Sequence, residues 1–265
     1  MFETKHIIIL SVCVVLIVGL FIGSRRLKFT TLCKTLLGVG IVSEVVKIFY
    51  YIIQNEATHG GVLPKTDLPF HLCSIQILFI VAVNFMKNQK LKRAILSFMF
   101  PSCLIGGIAA ICIPTTSSLN GTWVITTQYF LYHVAIIVFA LNICTNKELK
   151  LNVKDYFSCL IFIGVLMFFA IYVNSIVDDG SGKINFMYVV SPPVDNLPFL
   201  TEKYGWAVYI VHYAFLILFC LTACYIKPII VAIKEKLGAK CKVGLKENDA
   251  EQEANQQEIK TEKSA

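Results

Sequence analysis

The chain is 265 residues long, and 56% of its residues are hydrophobic while only 15% are charged. Soluble domains are typically about 45–50% apolar and about 25% charged, so this composition, with a mean hydropathy of +0.69, excludes an ordinary soluble domain. The formal net charge of +7 is dispersed over many connections, which argues against nucleic acid as a partner. Apolar runs near 20 residues recur, and each is long enough to cross a bilayer core of about 30 Å.

The sequence predicts an all-α, polytopic membrane protein with a bundle of about seven transmembrane helices. In chain order the predicted spans are His6–Gly23, Leu32–Ile53, Pro69–Met86, Ala94–Ile113, Trp123–Cys144, Tyr156–Val177 and Gly205–Ile226. We therefore divide the chain into a membrane domain, residues 1–228, and a tail, residues 229–265. The tail is basic and then polar, and we expect it to be cytoplasmic and largely disordered.

Lysine and arginine are distributed unevenly over the connections between these spans. Nineteen of them lie in the segments after spans one, three, five and seven, and only four lie in the alternate segments. Because cytoplasmic segments carry the excess of basic residues, the N-terminus is predicted to lie outside and the C-terminus in the cytoplasm. The chain is thus expected to be a multi-pass integral membrane protein, of the cell membrane if the host is bacterial.

Ionisable groups within membrane spans are costly and usually face the protein interior. Glu44 and Lys47 lie one turn apart in the second span and can form a structural ion pair. The alternative is a polar wall that lines a cavity. In the third span, Cys73 and Gln76 share a stripe, whereas His71 is rotated by about 200° from Cys73. His71 is therefore a poor candidate for the base of that thiol.

The start of the third span has a predicted cap. Asp67 can cap the helix and Pro69 suits its first turn, which would place Cys73 near the positive end of the helix dipole. A base for Cys73 would then come from His133, which shares a face with Tyr129, or from His212. Depth favours His212, because Cys73, His212 and His133 are expected at about 6, 10 and 15 Å below the outer surface.

The ten cysteines do not predict a metal centre or a disulfide framework. None falls clearly in an outer loop, and no two are spaced as CxxC, the spacing typical of zinc ligands. The sequence also contains no glycine-rich phosphate-binding loop. We therefore expect no metal and no cofactor.

Two short motifs carry a family resemblance. LPFHLC, residues 68–73, and NFMYVVSPP, residues 185–193, resemble segments of the YwaF-like integral membrane proteins, a group related to transmembrane protein 164. The resemblance covers the membrane part from about Lys28 to Ile226.

The resemblance implies an activity. Transmembrane protein 164 is an acyltransferase that moves fatty acyl chains between glycerophospholipids, and more distant androgen-induced membrane hydrolases cleave fatty-acid esters. By this similarity Cys73 matches the nucleophile and His133 the catalytic histidine, and the partner is a membrane phospholipid or lysophospholipid. Residues expected to bind substrate or to support the site are His71, Gln76, Tyr129, Asn174, Asn185, His212, Glu44 and Lys47, of which Asn174, Gln76 or Tyr129 could donate to an oxyanion.

Two further classes of function remain open from the residues alone. A transporter or channel-like protein could use Glu44, Lys47 and the histidines as a polar intramembrane pathway, although no internal repeat, which many transporters contain, is evident. A membrane scaffold without catalysis would need no polar core at all. Whether an esterase or a transferase is encoded depends on whether water or a lysolipid accepts the acyl chain.

Overall fold

The computed structural model describes residues 3–54, 63–146, 149–178, 180, 184–193, 200 and 203–236. These residues form an all-helical bundle. The α-helices are α1 Thr4–Ser24, α2 Phe29–Gln54, α3 Leu72–Phe85, α4 Gln89–Cys112, α5 Thr116–Asn120, α6 Trp123–Thr145, α7 Val153–Val177 and α8 Trp206–Cys224. Single 3₁₀ turns lie at Lys65–Asp67 and Phe186–Tyr188, and residues 226–236 are also helical.

Six of these helices, α1, α2, α4, α6, α7 and α8, are long and apolar enough to cross a membrane. They match six of the predicted spans to within a few residues. The prediction of an all-α polytopic membrane protein is therefore confirmed. Of the predicted tail, residues 229–236 belong to the helical segment after α8, and residues 237–265 lie outside the described part of the chain.

The third predicted span differs from its expectation. Its helix, α3, has 14 residues, or about 21 Å at 1.5 Å per residue, and begins at Leu72 with His71 as its N-cap. Asp67 does not cap it and Pro69 does not lie in its first turn. Asp67 instead ends the 3₁₀ turn Lys65–Asp67, where Thr66 and Tyr51 hydrogen-bond to its carboxylate.

The helices α4 and α6 form the centre of the bundle. More than half of the residues in the most apolar stretch of each are buried, whereas the corresponding residues of α1 and α8 are mostly exposed. The central pair packs against α1, α2, α3 and α7. One apolar cluster joins α2, α3, α4, α6 and α7, and a smaller one joins α1, α4 and α6.

At one end of the bundle, hydrogen bonds between side chains and from side chains to backbone connect the ends of the helices. The Arg93 guanidinium at the start of α4 donates two hydrogen bonds to Asp155 at the start of α7. The Asn142 amide near the end of α6 donates to Ser24 at the end of α1, and the Tyr225 hydroxyl after α8 donates to a carbonyl of α4. This is the end that the basic residues predict to be cytoplasmic.

Candidate functional site

Cys73 is the second residue of α3 and is half-buried. The Tyr132 hydroxyl of α6 donates a hydrogen bond of 2.7 Å to the Cys73 carbonyl. Tyr132 is nine residues into α6, at about 14 Å along the helix axis, so Cys73 lies within one tyrosine side chain of that level. The first turn of α3 is thus next to the helix that carries His133.

The two sequence motifs meet in space although more than 100 residues separate them. The Phe186 ring lies 5.1 Å from the His71 ring and 5.4 Å from the Phe70 ring, measured between centroids. The Tyr188 ring lies 6.1 Å from that of His71. Residues 184–191 therefore cover the start of α3, beside Cys73.

Two asparagines hold this covering segment in place. Asn174 of α7 is buried; its amide donates to the Phe186 carbonyl and its side-chain oxygen accepts from the Phe186 N–H, at 3.2 and 2.8 Å. The Asn185 side chain donates to Ser191 and accepts from the Val190 N–H. Both asparagines, named as supporting residues from the sequence, thus bond to the backbone of the second motif.

Three side chains of α8 donate to three consecutive carbonyls of the same segment. The Tyr213 hydroxyl donates to the Met187 carbonyl at 2.8 Å, the Tyr209 hydroxyl to that of Tyr188, and the Trp206 indole to that of Val189 at 2.9 Å. The three donors are spaced i, i+3 and i+7, which is one face of a helix. We call these donors the α8 ladder.

The segment needs this support because its backbone is strained. Met187 and Tyr188 have φ angles of +56° and +53°, the left-handed region that residues with a Cβ rarely adopt. Such conformations persist where the surroundings over-determine them, and they cluster at functional sites. Sequence reasoning missed Tyr188, Tyr132 and the ladder; the tyrosine in NFMYVV and the helical spacing of residues 206, 209 and 213 were the available signals.

His133 has one nitrogen bonded and the other without a partner. Its Nδ1 lies 2.7 Å from the Tyr129 carbonyl oxygen, and because a carbonyl only accepts, Nδ1 must carry the proton. Nε2 is then a lone pair that is buried and accepts no hydrogen bond from any residue that the structure describes. A buried polar atom left unsatisfied in this way requires an explanation, and a general base is one.

No hydrogen bond joins the Cys73 thiol to His133 in the described part of the chain. The two residues are linked through Tyr132 and Tyr129. Tyr132 binds the Cys73 backbone, and its ring lies 5.7 Å from that of His133, while the Tyr129 ring lies 4.3 Å from that of His133. Catalytic contacts are often long in ligand-free proteins and tighten when substrate binds.

Two of the predicted oxyanion donors are already engaged. Both N–H groups of Gln76 have acceptors, the Leu72 carbonyl and the Ser102 hydroxyl, and its oxygen accepts from the Cys103 thiol. The single O–H of Tyr129 donates to the Ala110 carbonyl at 3.0 Å. Gln76 and Tyr129 therefore pack α3 and α6 against α4, and their donors do not point freely to a substrate.

Glu44 and Lys47 form the ion pair that the sequence allowed, at 2.7 Å between Nζ and Oε1. The Lys47 charge also favours the ionised form of the Asp67 carboxyl. Burial raises the pKa of Asp67, and Lys47 only partly opposes this rise. The structural ion pair is therefore present, and the polar wall that would line a cavity stays a prediction.

His212 lies apart from this arrangement. Its side chain is exposed on α8, whereas that of His133 is buried in α6. The described residues contain no cluster of three or more histidine, cysteine or acidic side chains suited to a metal.

The fold and the apolar helices define a multi-pass integral membrane protein. A family model matches residues 1–225, and the chain belongs to the TMEM164 family. The match includes both motifs and every helix through α8. No curated protein and no solved structure shows significant similarity to the chain. The relation to the transmembrane protein 164 group, expected from the two motifs, is thereby confirmed, while the YwaF-like label stays a prediction.

Proposed function

We propose that the protein is a lipid acyltransferase or esterase that acts on the acyl chains of glycerophospholipids through Cys73 and His133. The observation that carries this proposal is the buried, unpartnered Nε2 of His133, whose protonation is set by the bond from Nδ1 to Tyr129. A histidine oriented in this way can accept a proton from a nucleophile. Cys73 is a half-buried thiol whose backbone carbonyl accepts a hydrogen bond from Tyr132, the residue before His133.

The reaction has two halves. In the first, the Cys73 thiol gives its proton to His133 Nε2, and sulfur attacks the ester carbonyl carbon to form a tetrahedral oxyanion. The oxyanion collapses, the C–O bond of the ester breaks, and His133 returns the proton to the leaving lysolipid oxygen. In the second half, the hydroxyl of another lysolipid, or water, attacks the Cys73 thioester by the same route and releases the thiol.

The supporting residues have structural assignments in this scheme. Glu44, Lys47 and His71 form the wall beside Cys73, and Asn174 and Asn185 hold the covering segment. His212, on the exposed side of α8, has no role in either proton transfer. The two motifs meet around one thiol, which suits chemistry on a bound lipid. A continuous polar pathway is less well supported, because Glu44 and Lys47 neutralise each other.

The test is acyl transfer by purified protein from a radiolabelled phosphatidyl lipid to a lysolipid, with release of free fatty acid measured in parallel. Cys73→Ala and His133→Ala should each abolish turnover, and the double variant should be no worse than either, because residues that act as one unit are strongly non-additive. A hydroxylamine-sensitive acyl group should be found on Cys73 by mass spectrometry.

The matched controls are a half-buried cysteine of α8 and the exposed histidine. Cys220→Ala should leave turnover unchanged, and His212→Ala should have a milder effect than His133→Ala. Full activity in Cys73→Ala would eliminate the covalent mechanism. A dead His212→Ala variant with an active His133→Ala variant would move the base to α8.

A further inference from the structure

The side-chain donors around Cys73 are nearly all committed to acceptors. Tyr132 donates to the Cys73 carbonyl, Tyr129 to that of Ala110, and Gln76 to Leu72 and Ser102. The Tyr188 hydroxyl differs. It makes no hydrogen bond to any part of the chain that the structure describes, although its own carbonyl is held by Tyr209.

Tyr188 is placed at the start of α3, the helix that carries Cys73, by two independent sets of contacts. On one side its ring lies 6.1 Å from that of His71, two residues before Cys73. On the other side the α8 ladder fixes the carbonyls of residues 187 to 189. The phenol ring therefore lies beside His71, the N-cap of α3, two residues from Cys73.

The backbone strain is concentrated at this residue. Tyr188 has a φ of +53° and follows Met187 at +56°, and Met187 is buried in the apolar cluster against which Cys73 packs. Neither residue is a glycine, and a segment that only covered the site could adopt ordinary dihedrals. The cost of the strain is explained if the phenol has to project to one defined point.

We propose that the Tyr188 hydroxyl is the oxyanion donor for the acyl group attacked by Cys73, an inference that rests on the proposed function. In the attack the carbonyl π electrons move to oxygen, and Tyr188 O–H donates a hydrogen bond to that oxygen without losing its proton. When the oxyanion collapses, the electrons return and the leaving oxygen takes its proton from His133. Tyr188 is thus a catalytic residue that neither gains nor loses an atom.

The protonation state suits this role. Burial raises the pKa of Tyr188 above its usual value, and negative charge at Cys73 raises it further. Since an unperturbed tyrosine titrates near about pH 10, the phenol keeps its proton over the whole range in which the reaction would run. A deprotonated phenol could not donate.

The test compares Tyr188→Phe with Tyr172→Phe, a control on the exposed face of α7 where Tyr172 is 69% exposed. The substrates are a p-nitrophenyl fatty ester and its thiono analogue, in which sulfur replaces the carbonyl oxygen. Tyr188→Phe should lower kcat for the ester by about 10²–10³-fold, the usual loss for one oxyanion donor, with KM within about threefold. The loss should shrink below about tenfold for the thionoester, because the developing thiolate is a weak acceptor. Tyr172→Phe should match wild type with both.

A second measurement separates catalysis from packing. Alkylation of Cys73 by iodoacetamide forms no oxyanion, so its rate should stay within about twofold in Tyr188→Phe. Parallel loss of alkylation and ester turnover, equal losses with ester and thionoester, or unchanged kcat would each reject the catalytic role of Tyr188.

The same assay reports separately on the proposed function. If wild type releases nitrophenolate no faster than Cys73→Ala, the cysteine is not the nucleophile, and both proposals are wrong. If wild type is faster than Cys73→Ala but equal to Tyr188→Phe, the cysteine mechanism holds and only the oxyanion assignment is wrong.

Discussion

At the scale of single residues, one cation, Lys47, interacts with two acids. Lys47 is paired with Glu44 at 2.7 Å, and their side chains are only 14% and 19% exposed. Lys47 also interacts with Asp67, the buried carboxyl of the 3₁₀ turn before α3. Breaking a buried ion pair by removing one partner typically costs about 3–5 kcal/mol. Here the cost depends on which partner is removed, because Lys47 favours the ionised form of Asp67 as well as that of Glu44.

Lys47→Met should therefore destabilise the protein by about 3–5 kcal/mol, because it leaves Glu44 and Asp67 without a cation. Glu44→Gln should cost less, since Lys47 keeps Asp67 as a partner. The double variant should recover part of the loss of Lys47→Met. The measurement is the temperature at which half of the detergent-purified protein is lost from the monodisperse peak. A double variant no more stable than Lys47→Met would show that the pair is not coupled.

At the scale of elements, the position of His133 depends on how closely α4 approaches α6. A Cβ added to Gly107 would lie 2.6 Å from Ile137 Cγ1 and 3.3 Å from the His133 carbonyl oxygen, so the Ile137 side chain would have to shift and the α6 backbone would have to give by a few tenths of an ångström. At the neighbouring Gly106, a Cβ would meet only Leu72 Cδ2 at 3.5 Å, an ordinary contact. The two adjacent glycines thus give a matched pair of variants.

Gly107→Ala should destabilise the protein by about 1–3 kcal/mol through overpacking, partly offset by a gain of about 1 kcal/mol in helix propensity. It should also lower acyl turnover more than stability alone explains, because His133 moves with α6. Gly106→Ala should be neutral or slightly stabilising. Equal stability and turnover in the two variants would contradict the close approach.

At the scale of the whole molecule, the orientation in the membrane follows from the basic residues. We predict that a cysteine introduced at the exposed Asn120, at the end of α5, is labelled by an impermeant maleimide on intact cells. One introduced at the exposed Lys87, before α4, should be labelled only after permeabilisation. The parental protein controls for native thiols. Labelling of both sites on intact cells, or of Lys87→Cys alone, would contradict an external N-terminus.

The sequence by itself was sufficient for the class of protein and for most of its helices. Runs of apolar residues are local, additive signals, so they predicted six spans within a few residues. The two short motifs predicted the relation to the family. The α3 start was mispredicted because Asp67 and Pro69 carry a cap signal that the interaction of Asp67 with Tyr51 and Lys47 overrides. Tyr51 and Lys47 both lie in α2, so the interaction depends on how α2 packs against the segment before α3.

Only the tertiary structure decided what surrounds Cys73. Chemistry and resemblance were enough to name candidate residues such as Cys73, His133, Asn174 and Asn185. They did not reveal which donors and acceptors of the candidate residues are already hydrogen-bonded. Whether a hydroxyl or amide is free depends on which carbonyls of distant helices come within 3 Å of it. This removed Gln76 and Tyr129 as free donors, left His133 Nε2 bare, and brought Tyr188 to the site on a strained segment held by α7 and α8. Contacts of that kind arise from packing between segments far apart in the chain, which no local pattern records.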